Sequence, residues 1–243
     1  MVQSSVNPSA AVDLRASPSP PSFFHPIAVI ICLAFSGQSL SRWWSATLAD
    51  AVMKSPTDIP HRRLQRSIRA SARRELEPDT TVITALMDGE VVGVAVWNMP
   101  KRLWRAETLL GRLHRLFMSF KDRLEDWIWP SAWYRMELKR KYFDVIAESK
   151  QRFLGANHRL NTWYLDILAV HPHHQRKGIG SALLDWGLEQ ARANGERVYL
   201  ESTDVGKPFY IARGFEEVVE CVLHDDTGKI LLPCMVWHPP VGS

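Results

Sequence analysis

The chain has 243 residues, 46% of them hydrophobic and 23% charged, and a formal net charge of +4. That length suits one globular domain with an extension, and the mild positive charge suits an anionic ligand without arguing for nucleic-acid binding. Cys32, Cys221 and Cys234 are too few and wrongly spaced for a disulfide framework or a zinc site, which points to a reducing compartment.

Residues 1–22, rich in Ser, Pro and Ala, read as a flexible tail, and residues 23–240 as a single domain. The apolar run from Phe23 to Phe35 is interrupted by His25-Pro26. It is too short to span a bilayer and follows no basic segment, so it is neither a membrane span nor a secretory signal. A cytoplasmic location is the default, with organelle targeting by the acid-poor tail as the alternative.

Within the tail, residues 12–16 alternate as a short strand. Residues 26–35 read as a helix with Pro26 in its first turn, and further helices are predicted over 41–54 and 60–77. Strands over 81–87 and 90–97 flank Asp88-Gly89, a pair suited to a tight hairpin turn.

Residues 101–154 read as two or three basic, aromatic-rich amphipathic helices broken at Trp129-Pro130. Their stripe of Leu, Phe and Trp is expected to dock on the domain itself with Arg and Lys outward. Membrane contact through 101–128 is the rival reading and is not the expected one. Trp104 and Trp133 are candidate substrate contacts, since the helices could wall an acceptor pocket.

A strand over 163–170 then leads through His171-Pro172 into a basic turn and a helix over 178–194. A strand over 197–202, a short helix over 207–213 and a hairpin of 216–224 with 229–237 complete the chain. The order predicts a mixed α/β sheet with helices on both faces and no internal repeat.

The strand-to-helix turn carries the chemistry. Helix-opening N–H groups lack intrahelical partners and sit at the positive end of the helix dipole, so they bind anions. Gly178 and Gly180 admit a phosphate without a Cβ in the way, and Arg176 and Lys177 add charge.

Gln175-Arg176-Lys177-Gly178-Ile179-Gly180 resembles the acetyl-CoA signature Q/R-x-x-G-x-G/A of the GNAT N-acetyltransferases. The strand LDILAVHP before it is similar to that family's fourth strand, and Phe209-Tyr210-Ile211-Ala212-Arg213-Gly214-Phe215 to its FYxxxGF segment. The resemblance covers residues 80–237 well and 12–79 loosely. It implies an acyl-CoA N-acyltransferase fold in which 101–154 is a helical insertion between strands three and four.

It also implies roles. Leu168, Ala169 and Val170 would line the pantetheine arm, with the Leu168 N–H near the thioester carbonyl. Gln175, Arg176, Lys177, Gly178, Ile179, Gly180 and Ser181 would hold the pyrophosphate, and Tyr210 would return a proton to the leaving thiolate.

Attack on a thioester needs a neutral amine, hence a base. Some family members carry it at the position of Tyr164, where this chain has a phenol. Strand alternation puts Tyr164, Asp166 and Leu168 on one face, so Asp166 is the first candidate base, Glu201 the second and Asp204 the third. A structural partner such as a nearby Arg would account for Asp166 equally well. His171, His173 and His174 lack ligand spacing, and no metal is expected.

The expected function is transfer of acetyl from acetyl-CoA to a primary amine, with a small molecule as the expected acceptor, in a ternary complex formed by a monomer or homodimer. The rivals are a catalytically silent CoA-binding sensor and a peripheral membrane protein anchored through 101–128.

Overall fold

The computed structural model describes residues 12–36, 54–107, 109–128, 133–225 and 228–240. β1 (Asp13–Ala16) precedes α1 (Phe24–Ala34) and α2 (His61–Leu76), and β2 (Thr80–Met87) and β3 (Glu90–Asn98) form a hairpin. Two long helices, α3 (Leu109–Ile128) and α4 (Trp133–Leu154), and the one-turn α5 (His158–Asn161) lead into β4 (Thr162–Val170). Then follow α6 (Ile179–Ala193), β5 (Arg197–Glu201), α7 (Lys207–Ile211), β6 (Glu216–Asp225) and β7 (Gly228–Trp237). The predicted elements recur with ends moved by a few residues. The helix expected over 41–54 lies, but for Lys54, outside the described residues, as do residues 1–11 of the tail.

The seven strands form one sheet in the order β1-β2-β3-β4-β5-β7-β6. Every neighbouring pair is antiparallel except β4 with β5. The β2–β3 turn places Asp88 at φ 53° and Gly89 at φ 81°, the two left-handed residues that match the strands' twist.

One face of the sheet carries α6. Its Ile179, Leu183, Leu184 and Leu188 pack with Trp97, Trp163, Leu165 and Leu200 into the largest core cluster. Trp163 meets Trp97 and Trp186 edge to face, each at 6.3 Å between centroids. The Trp163 indole donates to the buried carboxylate of Glu196 at 3.0 Å, and Arg102 donates to its other oxygen at 2.9 Å. Burial of that charge is therefore compensated on both oxygens.

The opposite face carries α1, α2 and α4. Ile27 and Ile30 of α1 rest on Val82, Val94, Val96 and Ala169, while its Val29, Cys32 and Leu33 meet Leu64 of α2 and Ile59 just before it. Ile146 and Leu154 of α4 pack on Tyr199, Leu232, Cys234 and Val236.

The apolar stripe of α3 does not dock as expected. Leu110 is 77% exposed, Leu113 55%, and Leu109, Leu116, Phe117 and Phe120 fall between. The neighbouring sheet face is already covered by other helices. Ion pairs hold α3 instead, Arg115 to Glu77 at 2.7 Å and to Glu107, and Arg112 to Glu107 at 3.2 Å. Among the described residues no helix is long and apolar enough to cross a membrane.

Gly187 sets how closely α6 approaches the sheet, because a Cβ there would lie 2.2 Å from the Trp97 ring. Gly187→Ala is expected to cost about 3 kcal/mol through overpacking, read as a lowered urea midpoint.

Candidate active site

β4 and β5 are paired through only three rungs, Thr162↔Arg197, Trp163↔Val198 and Tyr164↔Tyr199. Beyond Tyr164, β4 runs on beside β3 to Val170, while β5 runs on beside β7 to Glu201. The two parallel strands therefore part at their carboxyl ends. Such a parting in an α/β sheet is where ligands bind, because it is a crevice floored by backbone.

A β-bulge accompanies the parting. Val96 pairs with Ile167 and Trp97 with Leu165, so Asp166 has no partner on β3. A bulge bends its strand and re-aims side chains. Leu165 and Leu168 consequently both face the α6 cluster, and Ile167 and Ala169 face the α1 cluster. The expected common face for Asp166 and Leu168 is thus corrected. Asp166 turns toward α2, where its carboxylate lies 3.6 Å from the guanidinium of Arg74.

At the end of β4 the chain makes a 3-10 turn over Pro172–His174 and enters the loop 175–178. The side chains of Gln175, Arg176 and Lys177 are exposed. Arg176 at φ 59° and Gly178 at φ 82° both take left-handed backbone. The first backbone bond into α6 runs from the Ala182 N–H to the Gly178 carbonyl at 3.0 Å, and no side chain caps the helix. The N–H groups of Ile179, Gly180 and Ser181 are left as the unpaired donors of a helix start. Buried Ile179 anchors this turn in the core. Gln175 also donates its side-chain amide to the Val170 carbonyl at 3.2 Å, tying the loop to β4. These residues fit an anionic diphosphate.

Glu201, at the end of β5, is buried with its side chain 3% exposed. The Tyr164 hydroxyl donates to its Oε2 at 2.6 Å. Among the described residues its Oε1 has no hydrogen-bond donor, and the ammonium of Lys150 stands 3.9 Å from it. That ammonium stands 3.1 Å from the centroid of the Tyr164 ring. Burial raises the Glu201 carboxyl above its ordinary range, with Lys150 and the Tyr164 hydrogen bond opposing. Burial likewise lowers Lys150, against the attraction of Glu201. Burial, reinforced by Glu201 and Asp166, pushes the Tyr164 phenol well up, so it stays a donor. Tyr142 of α4 is raised by the same causes.

Tyr210 lies on α7 on the α6 side, its ring 5.2 Å from Phe209 and 5.6 Å from Phe215 between centroids. Burial raises its phenol. α7 is braced by the ion pair of Arg213 with Asp185 on α6. The structure thus brings Leu168, Val170, Tyr210 and the loop residues to one side of the parting, and Tyr164, Asp166 and Glu201 to the other. Asp204 is exposed. Trp104 is fixed by its indole N–H on the Met99 carbonyl at 3.0 Å. The side chain of Trp133 lies outside the described residues.

Sequence reasoning missed Lys150, Tyr142 and Arg74, which are brought in by helices distant in the chain and carry no local motif. His171 accepts from the His173 N–H at 3.3 Å, and burial followed by its two histidine neighbours lowers its imidazole. No group of three or more metal-ligating side chains occurs among the described residues. The three cysteines are free and buried. Cys221 and Cys234 lie 2.9 Å apart between sulfurs, and their hydrogen bond brings Cys234 down to about 7 while raising Cys221.

Removing the Tyr164 hydroxyl leaves a buried carboxylate short of its donor. Tyr164→Phe is expected to destabilise the fold by about 2 kcal/mol, measured by denaturant unfolding.

Residues 119–226 match the acetyltransferase (GNAT) domain family. The chain is 34% identical over 61 residues to an acetyltransferase of Stachybotrys chartarum, covering 25% of this chain and 26% of that protein. It is 46% identical over 44 residues to the probable acyltransferase SID5 of Ajellomyces capsulatus, covering 18% of this chain and 32% of that one. The matched segments therefore span about a quarter to a third of those relatives' length. In structure, the chain is similar to the crystal structure of histone acetyltransferase HPA2 and related acetyltransferase from Corynebacterium glutamicum. That likeness has a TM-score of 0.51 at 19% identity, covers 95% of this chain and 98% of that one, and speaks to the fold. The likeness to the GNAT acetyltransferases is thus carried by residues 119–226 in sequence and by the fold in structure.

Proposed function

We propose that the chain transfers acetyl from acetyl-CoA to a primary amine, by direct attack in a ternary complex, with a small molecule as acceptor. The observation that carries this reading is the parting of β4 from β5 beside the uncapped start of α6. In that arrangement the N–H groups from Arg176 to Ser181 hold the diphosphate, with Arg176 and Lys177 adding charge. Leu168, Ala169 and Val170 line the arm that reaches into the parting. The cosubstrate supplies the activated acyl group.

Glu201 is the better base than Asp166. It is buried, it keeps one oxygen without a donor, and Tyr164 orients it. Asp166 instead faces Arg74. Tyr210, on the α6 side, is the group placed to return a proton to the departing thiolate.

Calorimetric titration with acetyl-CoA tests the cofactor. Saturable binding is expected for the wild type and its loss for Gly178→Glu, which puts a carboxylate at φ 82° in the phosphate loop. A folded wild type that binds no acetyl-CoA overturns the reading. Binding without CoA release on any amine of a broad panel favours the silent sensor.

The pH profile tests the base. Glu201 acts ionised and its carboxyl is raised from 4.5 by burial, so the rate is expected to fall as pH drops through a value above the ordinary carboxylate range. Lys150, Tyr164, Tyr199 and Asp166 face it and modulate that limb. Glu201→Gln is expected to lower kcat about a hundredfold and to abolish the limb. A limb unchanged in that variant returns the role to Asp166.

A second reading rests on α3. An exposed Leu and Phe stripe beside Arg112 and Lys121 supports attachment to an anionic lipid surface. Co-sedimentation with anionic vesicles is expected, and its absence removes the idea.

A further inference from the structure

Lys150 is a largely buried lysine beside the point where β4 and β5 part. It reaches from α4 to the last rung between β4 and β5, where Tyr164 pairs with Tyr199. Its side chain is only 18% exposed. The ammonium stacks on the Tyr164 ring at 3.1 Å and has Glu201 Oε1 at 3.9 Å. Lys101, Lys141 and Lys177, by contrast, are exposed. An aromatic face and a carboxylate together recognise a primary ammonium. Lys150 approaches from the α4 face, and the phosphate loop opens α6 on the other. A group lodged between the parted strands is thus flanked by both.

We propose that Lys150 is an acyl acceptor of this same site, so that the protein acetylates itself. The inference rests on the acetyltransferase reading. Glu201 Oε1, which lacks a hydrogen-bond donor, takes a proton from the Lys150 ammonium. The freed amine attacks the thioester carbonyl of acetyl-CoA, the N–C bond forms and the C–S bond breaks. The thiolate leaves and takes up the second proton, shed by the attacking nitrogen as the amide forms, giving acetyl-lysine and CoA while the first proton stays on Glu201 until solvent removes it. Burial favours the neutral amine that this step needs. Holding nucleophile and base in one pocket makes the step unimolecular.

The experiment follows the full-length protein, as purified and during incubation with acetyl-CoA, by peptide mass spectrometry, with calorimetry of CoA binding on the same samples. Expected is one acetyl group on the peptide bearing Lys150, formed at a rate independent of protein concentration. It should be missing in Lys150→Arg and Gly178→Glu, and slowed about a hundredfold in Glu201→Gln. A wild type that binds CoA but leaves Lys150 unmodified overturns this inference and leaves the acetyltransferase reading standing. Modification that proceeds equally in Gly178→Glu is non-enzymatic and also overturns it. A folded wild type that binds no CoA overturns the acetyltransferase reading itself.

Discussion

The Tyr164↔Tyr199 rung is the last between β4 and β5, and the arrangement of the site depends on the strands separating there. The bulge at Asp166 bends β4 away while β3 keeps it paired as far as Val170. β5 follows β7 in the other direction. A gap of this kind exposes backbone within an otherwise continuous sheet, and the loop at the end of β4 carries anion-binding donors beside it. The same bulge decides which side chains share a face, so it separates Asp166 from Leu168 and sends the carboxylate to Arg74.

The core around the gap is rigid in proportion to the cost of disturbing it. On the α6 face the Trp97–Trp163–Trp186 contacts and the doubly bonded Glu196 lock β3, β4 and the α6 to β5 connection together. On the α4 face a polar group adjoins the apolar cluster of Ile146 and Leu154. Glu201, Lys150 and Tyr164 are buried together, and Glu201 both shifts the proton affinity of the other two and is shifted by them. Buried ionic groups add little net stability, since desolvation offsets their attraction. Such a cluster beside the gap is better explained by chemistry than by packing, and perturbed groups of this kind concentrate at functional sites. The exposed stripe of α3 is the other departure from ordinary packing, an amphipathic helix whose apolar side chains are left open to solvent.

Much of the fold was legible because its signals are local. The Asp88-Gly89 turn and the glycine loop before α6 name their own backbone conformations, and hydrophobic periodicity outlined the remaining described strands and longer helices. Residues Gln175 to Ser181 were legible as a strand-to-helix turn for the same reason, being contiguous in the chain. Strict alternation failed at Asp166, because a bulge is a pairing event between two strands and leaves no mark within one. Docking of α3 was misjudged because an apolar stripe states that a surface must be covered but not by what. Lys150 carried no signal at all, its meaning arising only when α4 lies across β4 and β5.

The sequence by itself therefore determined the order of elements, the glycine loop before α6 and the candidate carboxylates, since propensity, turn chemistry and motif spacing are properties of contiguous residues. Tertiary structure alone decided which carboxylate stands beside the gap, which is ion-paired elsewhere, and which amine faces Glu201. Those are distances between segments far apart in the chain, set by strand register and helix packing.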